Sequence, residues 1–132
     1  MFTSAQLTEG HIYTRADLRQ LFHITAATLN NGIFRPAGHN SVWLFVTEQK
    51  PSSSTQYNDR LDGRELHWEG QMAGRSDNLI IDHARSGLEL LLFYRKTVLQ
   101  YPGSGFRYEG RFRYASHTGA HPTRFTLTRV TS

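Results

Sequence analysis

The sequence predicts an α+β fold: a small, curved, mostly antiparallel β-barrel with one or two short helices at its N-terminal end. Three observations predict it. Helical periodicity is confined to the first third of the chain, while alternating and β-branched patterns fill the rest. No strand–helix alternation of the kind that builds a parallel sheet occurs. The aromatic supply of two Trp, six Tyr and eight Phe suits strands better than a Leu-rich bundle. At 132 residues the chain is the size of one domain with its own core, so 1–132 is read as a single unit.

Residues 1–12 read as an arm. Thr14 stands as an N-cap with Asp17 three positions on, and Leu18, Leu21 and Phe22 share a face, giving a helix of about two turns. Thr25 is a second candidate cap, ahead of one turn over Ala26 to Asn30 that Asn31-Gly32 stops. The stretch Ser41–Thr47 is apolar on both faces, Val42, Leu44 and Val46 against Trp43 and Phe45, as in a central strand. Pro51 to Ser54 is loop-like but too short to separate two cores. From Glu65, the residues Leu66, Trp68, Gly70 and Met72 alternate with His67, Glu69 and Gln71, the pattern of a half-exposed strand. A turn over 73–78, a short strand Leu79–Asp82 and a turn closed by Gly87 are expected next. Leu88–Lys96 is the second central strand. Beyond a loop at 101–105, Phe106, Tyr108, Gly110, Phe112 and Tyr114 alternate with Arg107, Glu109, Arg111 and Arg113. A last strand within 123–130 sets Phe125, Leu127 and Val130 against Arg124 and Arg129.

Charge narrows the partner. The net charge is +4, and of 15 basic residues only Lys50 and Lys96 are lysines. Basic surfaces attract polyanions, and guanidinium forks match phosphate oxygens and the guanine edge in a way ammonium groups do not. A genome rich in Arg codons gives the same bias without any such partner. No apolar run approaches the ~18 residues of a membrane span, and the first ten residues lack the basic-then-apolar pattern of an export signal, so a cytoplasmic location is expected. Without cysteine, disulfides and Cys-ligated zinc are excluded.

Catalytic and metal motifs fail one by one. Glu48 and Lys50 imitate half of a nuclease E-x-K site, but the only acids upstream are Glu9 and Asp17. His117 and His121 have helical spacing interrupted by Gly119 and followed by Pro122, and His23, His67 and His83 lack a third ligand. Ser52 to Ser54 sit in no nucleophile elbow, and no phosphate-binding glycine loop exists. The expectation is a non-enzymatic module with no cofactor and no metal.

One stretch suits binding. "TQYNDRLDGRELHWEGQ", residues 55–71, sets flat rings beside directed polar groups, which is what an extruded base requires. In this reading Tyr57 and Trp68 form the wall with Trp43 behind them, and Asp59 and Gln71 meet the base edge. Arg95 pairs with Asp59 or holds a phosphate beside the pocket. Arg35, Arg75, Arg107, Arg111 and Arg113 follow the backbone of double-stranded DNA, and Ser76 or Asn78 caps a phosphate. The plainer alternative is a polar hairpin with a buried Trp beneath it and a solvated Arg face.

As an ordered set these residues resemble an uncharacterised domain attached to bacterial superfamily-two helicases and to some restriction-type endonucleases. The elements that carry the resemblance are Val46-Thr47 with Lys50; Thr55, Tyr57 and Asp59; His67, Trp68 and Gln71; Arg95; and Tyr108, Gly110, Phe112 and Tyr114. A looser likeness reaches the PUA-like folds, including the SRA, EVE and YTH readers of modified bases. The resemblance implies a DNA-recognition module in restriction or phage defence that reads modified bases and serves a helicase or endonuclease; the flipped base is the expectation from residues 55–71. None is attached here, so an excised domain or a standalone reader is expected. The rival expectation is a protein-interaction or autoinhibitory module for such an enzyme.

Overall fold

The structure is a computed structural model, and it describes residues 2–30, 32–49, 59–69, 77–119 and 123–130. Helix α1 (Arg15–Phe22) starts where the sequence places it. Thr14 Oγ1 accepts from the Asp17 N–H at 3.0 Å and Asp17 Oδ2 accepts from the Thr14 N–H at 2.9 Å, a complete capping box. The helix ends at His23, which adopts the left-handed conformation. Thr14→Ala is expected to cost about 1 kcal/mol, read as a lower urea midpoint at an unchanged slope; an unchanged midpoint would show that tertiary contacts alone hold α1.

The eight strands among the described residues are β1 (Ile12–Tyr13), β2 (Ile33–Phe34), β3 (Ser41–Thr47), β4 (Arg60–Asp62), β5 (Glu65–Glu69), β6 (Glu89–Arg95), β7 (Phe106–Thr118) and β8 (Arg124–Arg129). They form one sheet in the order β2-β3-β6-β7-β8-β5-β4, with β1 paired to β7. Every pairing is antiparallel except the central β3–β6 pair. The path begins at β2 and ends at β4, so no closed barrel forms among the described residues.

The sheet curls nonetheless. One core cluster joins Val42, Leu44 and Val46 of β3 to Leu66 and Trp68 of β5, strands that lie far apart in the sheet order. Across the approach, burial first and the nearby Glu48 second push the Tyr94 pKa well above the tyrosine range. The opposite face carries a second cluster, in which Leu18 of α1 and Tyr13 cover Trp43, Phe45, Phe93, Phe106 and Tyr108.

Three expectations change. Leu79–Asp82 is not a strand: Asp77–Ile81 forms helix α2, which buries Ile80. An apolar run so short has no period of its own, and packing decides it. The 60–69 stretch is a hairpin, β4–β5, whose two-residue loop Gly63-Arg64 has Gly63 at φ +54°. Finally, the alternation of β7 does not keep one face. The register slips beside Leu92/Phe93, where Gly110 takes φ +99°. Phe106 and Tyr108 therefore enter the second cluster, while Phe112 and Tyr114 join the first. The extra residue of a β-bulge reverses the face of all that follows.

A second irregularity between Tyr114 and Ser116 is tied off by His83. Its Nε2 accepts from the Tyr114 N–H at 3.1 Å while its Nδ1 lies 2.8 Å from the Leu88 carbonyl, which makes Nδ1 the protonated nitrogen. Both ring nitrogens of His83 are thereby used.

Candidate nucleic-acid interface

Pairing of β5, β8 and β7 sets three rows of residues next to one another, successive rows pointing to opposite faces of the sheet. His67, Thr126 and Ser116 form one row, Trp68, Phe125 and His117 the next, and Glu69, Arg124 and Thr118 the third. These nine residues line a hollow of about 270 Å³. Trp68 and Phe125 stack within it, centroids 5.4 Å apart and planes 27° from parallel, and the His117 ring stands 6.1 Å from Phe125. His117 Nδ1 also bonds to the Tyr114 hydroxyl. Trp68 and Phe125 are 7% and 2% exposed, so their rings serve mainly the core. Polar groups of both signs stand on the two flanking rows, which point to the other face: His67 lies 3.9 Å from Asp62, and Glu69 and Arg124 face each other in register.

Such a hollow is slightly below the ~300 Å³ at which ordinary small-molecule pockets begin. It has room for one flat, heteroaromatic group with hydrogen-bonding edges. Sequence reasoning found Trp68 but not His117, Arg124, Ser116 or Thr118. Only the pairing register assembles them, although the polar alternation of Thr123–Val130 was a usable signal.

Of the residues expected to form the pocket, Tyr57 of the wall and Gln71 of the base edge lie outside the described residues, as do Arg75 and Ser76 among the phosphate contacts. Asp59 is buried, and its Oδ1 accepts from the Glu69 N–H at 2.8 Å, which fixes the end of β5 next to Trp68. Trp43 does not stand behind Trp68. It is fully buried in the cluster on the opposite face, where its Nε1–H donates to Thr3 Oγ1 at 2.9 Å.

Arg95 does not pair with Asp59. It points to the second cluster, donates through Nε to Thr47 Oγ1 and through Nη1 to the Ser104 carbonyl, and lies over Phe106. Asn78 sits on α2 and is exposed, and Arg35 is exposed just beyond β2.

The expected stripe of arginines on β7 is broken by the bulge at Gly110. Arg107 pairs in register with Tyr94 on the first-cluster face, whereas Arg111 pairs with Leu91 on the other. Arg107 is also partly neutralised: its Nη1 donates to Glu109 Oε2 at 2.7 Å, and that bond raises its pKa further above the usual value. Glu109, itself buried, also takes Arg129 at 3.2 Å. Arg111, Arg113 and Arg124 are exposed and form no ion pair among the described residues.

No family model and no curated protein matches the sequence. Among solved structures the chain is similar to one described as a modification-dependent TagI restriction endonuclease, with a TM-score of 0.55 and 18% identity. The likeness covers 95% of this chain and 50% of the other, so the chain spans about half the length of the structure it matches. At this identity what is shared is the fold.

Proposed function

We propose that the chain is a DNA-recognition module of a restriction or phage-defence system, in which the hollow beside Trp68 receives one modified, flipped base. The observation that carries this reading is the hollow itself, a space of about 270 Å³ at which Trp68, Phe125 and His117 meet the neighbouring rows that hold His67, Glu69 and Arg124. A flipped base is held by flat apolar contact and read through hydrogen bonds along its edge. In this reading His67, Glu69 and His117 supply the edge contacts. Asp59 positions Glu69 instead of touching the base. The exposed guanidiniums of Arg111, Arg113 and Arg124, with Arg35, follow phosphates.

The fold likeness to a modification-dependent restriction endonuclease supports a role in restriction. Cleavage belongs to a helicase or endonuclease partner in this reading.

Filling the hollow tests this directly. Ser116 is exposed on its rim, so Ser116→Trp adds an indole without disturbing the buried rings. The variant is expected to lose preference for the modified duplex by about tenfold, roughly 1.4 kcal/mol, and to keep its weak affinity for unmodified duplex. Equal loss for both duplexes would show that the hollow does not discriminate bases.

A further inference from the structure

The loop at 102–105 is pressed against the start of α1. A Cβ on Gly103 would meet Thr14 Cγ2 at 3.0 Å, and one on Gly105 would meet Ile12 Cγ2 at 2.8 Å. This close approach brings two guanidiniums to one ring. Arg95 lies 3.9 Å and Arg15 5.0 Å from the Phe106 centroid, and Arg15 is also 4.6 Å from the centroid of Phe45.

Every hydrogen bond these arginines make among the described residues goes to a neutral group. Arg95 is 8% exposed and donates to Thr47 Oγ1 at 2.8 Å and to the Ser104 carbonyl at 2.7 Å. Arg15 donates through Nε to the Leu29 carbonyl at 3.0 Å. All 11 carboxylate side chains of the chain fall among the described residues, and no ion pair joins any of them to Arg15 or Arg95. Asp17, the acid of the same helix, has Oδ2 engaged by the Thr14 N–H.

Buried cations are ordinarily matched by an anion, because desolvating an unpaired charge is costly. Here the cost is visible: burial, then the neighbouring Arg15, brings the Arg95 pKa down to about 10, and burial followed by Arg19 lowers that of Arg15. Cation–π contact with Phe106 and Phe45 offsets part of it. The nitrogens Arg95 Nη2, Arg15 Nη1 and Arg15 Nη2 take no hydrogen bond among the described residues.

We propose that Arg15 and Arg95, held on the Phe106 ring by loop 102–105, form a seat for a phosphate group. Guanidinium edges are suited to phosphate oxygens, and the negative charge of a phosphate there supplies the missing counter-charge. The phosphate belongs to the DNA backbone, a source that rests on the recognition reading above; the seat itself does not.

Two measurements test it. In the first, the Arg Nε–Hε resonances of the 15N-labelled protein are followed while inorganic phosphate is added, with chloride at equal ionic strength as reference. Arg15 and Arg95 are expected to shift with phosphate and not with chloride, and Arg15→Gln is expected to abolish the Arg95 shift. In the second, duplex affinity is measured against salt. Arg15→Gln, which leaves Arg95 and its loop bonds in place, is expected to make the log–log slope shallower by about 0.9 and to weaken all duplexes alike. A phosphate shift without any duplex binding by the wild-type chain supports the seat as a site for free phosphate and removes DNA as its source. Duplex binding with an unchanged slope in Arg15→Gln, and no phosphate-specific shift, overturns the seat and leaves the recognition reading standing.

Discussion

Trp43→Ala is expected to remove about 3–5 kcal/mol of stability, a large share of the ~5–15 kcal/mol that holds a domain of this kind together. The indole is fully buried and surrounded by rings: Phe22 at 5.3 Å, Phe34 and Phe93 at 5.7 Å, and Phe45 at 6.4 Å between centroids. Alanine would leave a cavity that four aromatic neighbours on separate elements cannot collapse to fill. It would also strip the Nε1–H bond that ties Thr3 to β3. That bond belongs to a small polar clasp. Ser41 Oγ accepts from the Thr3 N–H at 3.0 Å and donates to Glu89, which also holds the Ser4 N–H and hydroxyl. Trp43→Phe keeps most of the ring contacts and loses the hydrogen bond, so its cost is smaller, on the order of 1–2 kcal/mol. Urea unfolding separates the two. Trp43→Phe is also expected to keep base preference intact, since this ring faces away from the hollow; a loss of preference in a stably folded Trp43→Phe would contradict the division of the two faces.

Glu109→Gln carries the second large effect. The carboxylate is buried between two arginines, Arg107 at 2.7 Å and Arg129 at 3.2 Å, and Arg129 also donates to the Glu109 carbonyl. Glutamine has nearly the same shape but no charge, and its amide group turns donors toward guanidiniums. Removing one member of a buried pair costs ~3–5 kcal/mol. Arg107 is 45% exposed, so solvent screens its half and the expected loss lies near the lower figure, about 3 kcal/mol. The variant also gains one positive charge on the surface and frees Arg107. In the recognition reading, duplex affinity should rise at low salt and its salt dependence should steepen, even as the fold weakens. A rise in affinity together with a fall in urea midpoint is an unusual combination, and unchanged stability would mean the Glu109 site is open to water.

Local signals in the sequence were read well. The capping box at Thr14 and Asp17, the two-faced apolar strand at Ser41–Thr47 and the alternation around Leu66 and Trp68 each specify their structure through neighbours a few residues away. What failed depended on distant parts of the chain. Phe106, Tyr108, Gly110, Phe112 and Tyr114 keep a perfect two-residue period, and nothing in that period reports that Gly110 turns the strand over. The requirement is a positive φ at that glycine, with Glu9 so close that a Cβ would nearly touch its carboxylate. The arginine stripe was lost for the same reason. Leu79 to Asp82 has strand-like residues, yet the segment through Ile81 is helical and Ile80 fills a site in the first core cluster.

The candidate site divides along the same line. Trp68 was legible because polar residues flank it, but its partners come from β7 and β8 through register alone. Trp43 was placed with it on composition, since a ring on one face of a strand looks the same as a ring on the other. Arg15 gave no signal at all: its meaning depends on Arg95, eighty positions away, and on the close-fitting glycines of loop 102–105.

The claim on which the functional reading depends is that one nucleotide enters the hollow beside Trp68. Its most direct test is the affinity of the chain for short duplexes identical except at one position, carrying cytosine, its 5-substituted forms, modified adenine or a phosphorothioate linkage. The account predicts that one base modification binds at least about tenfold tighter, ~1.4 kcal/mol, with the salt slope unchanged, and that Ser116→Trp erases that difference. Equal affinity for every duplex, or no binding to any at low salt, would contradict it.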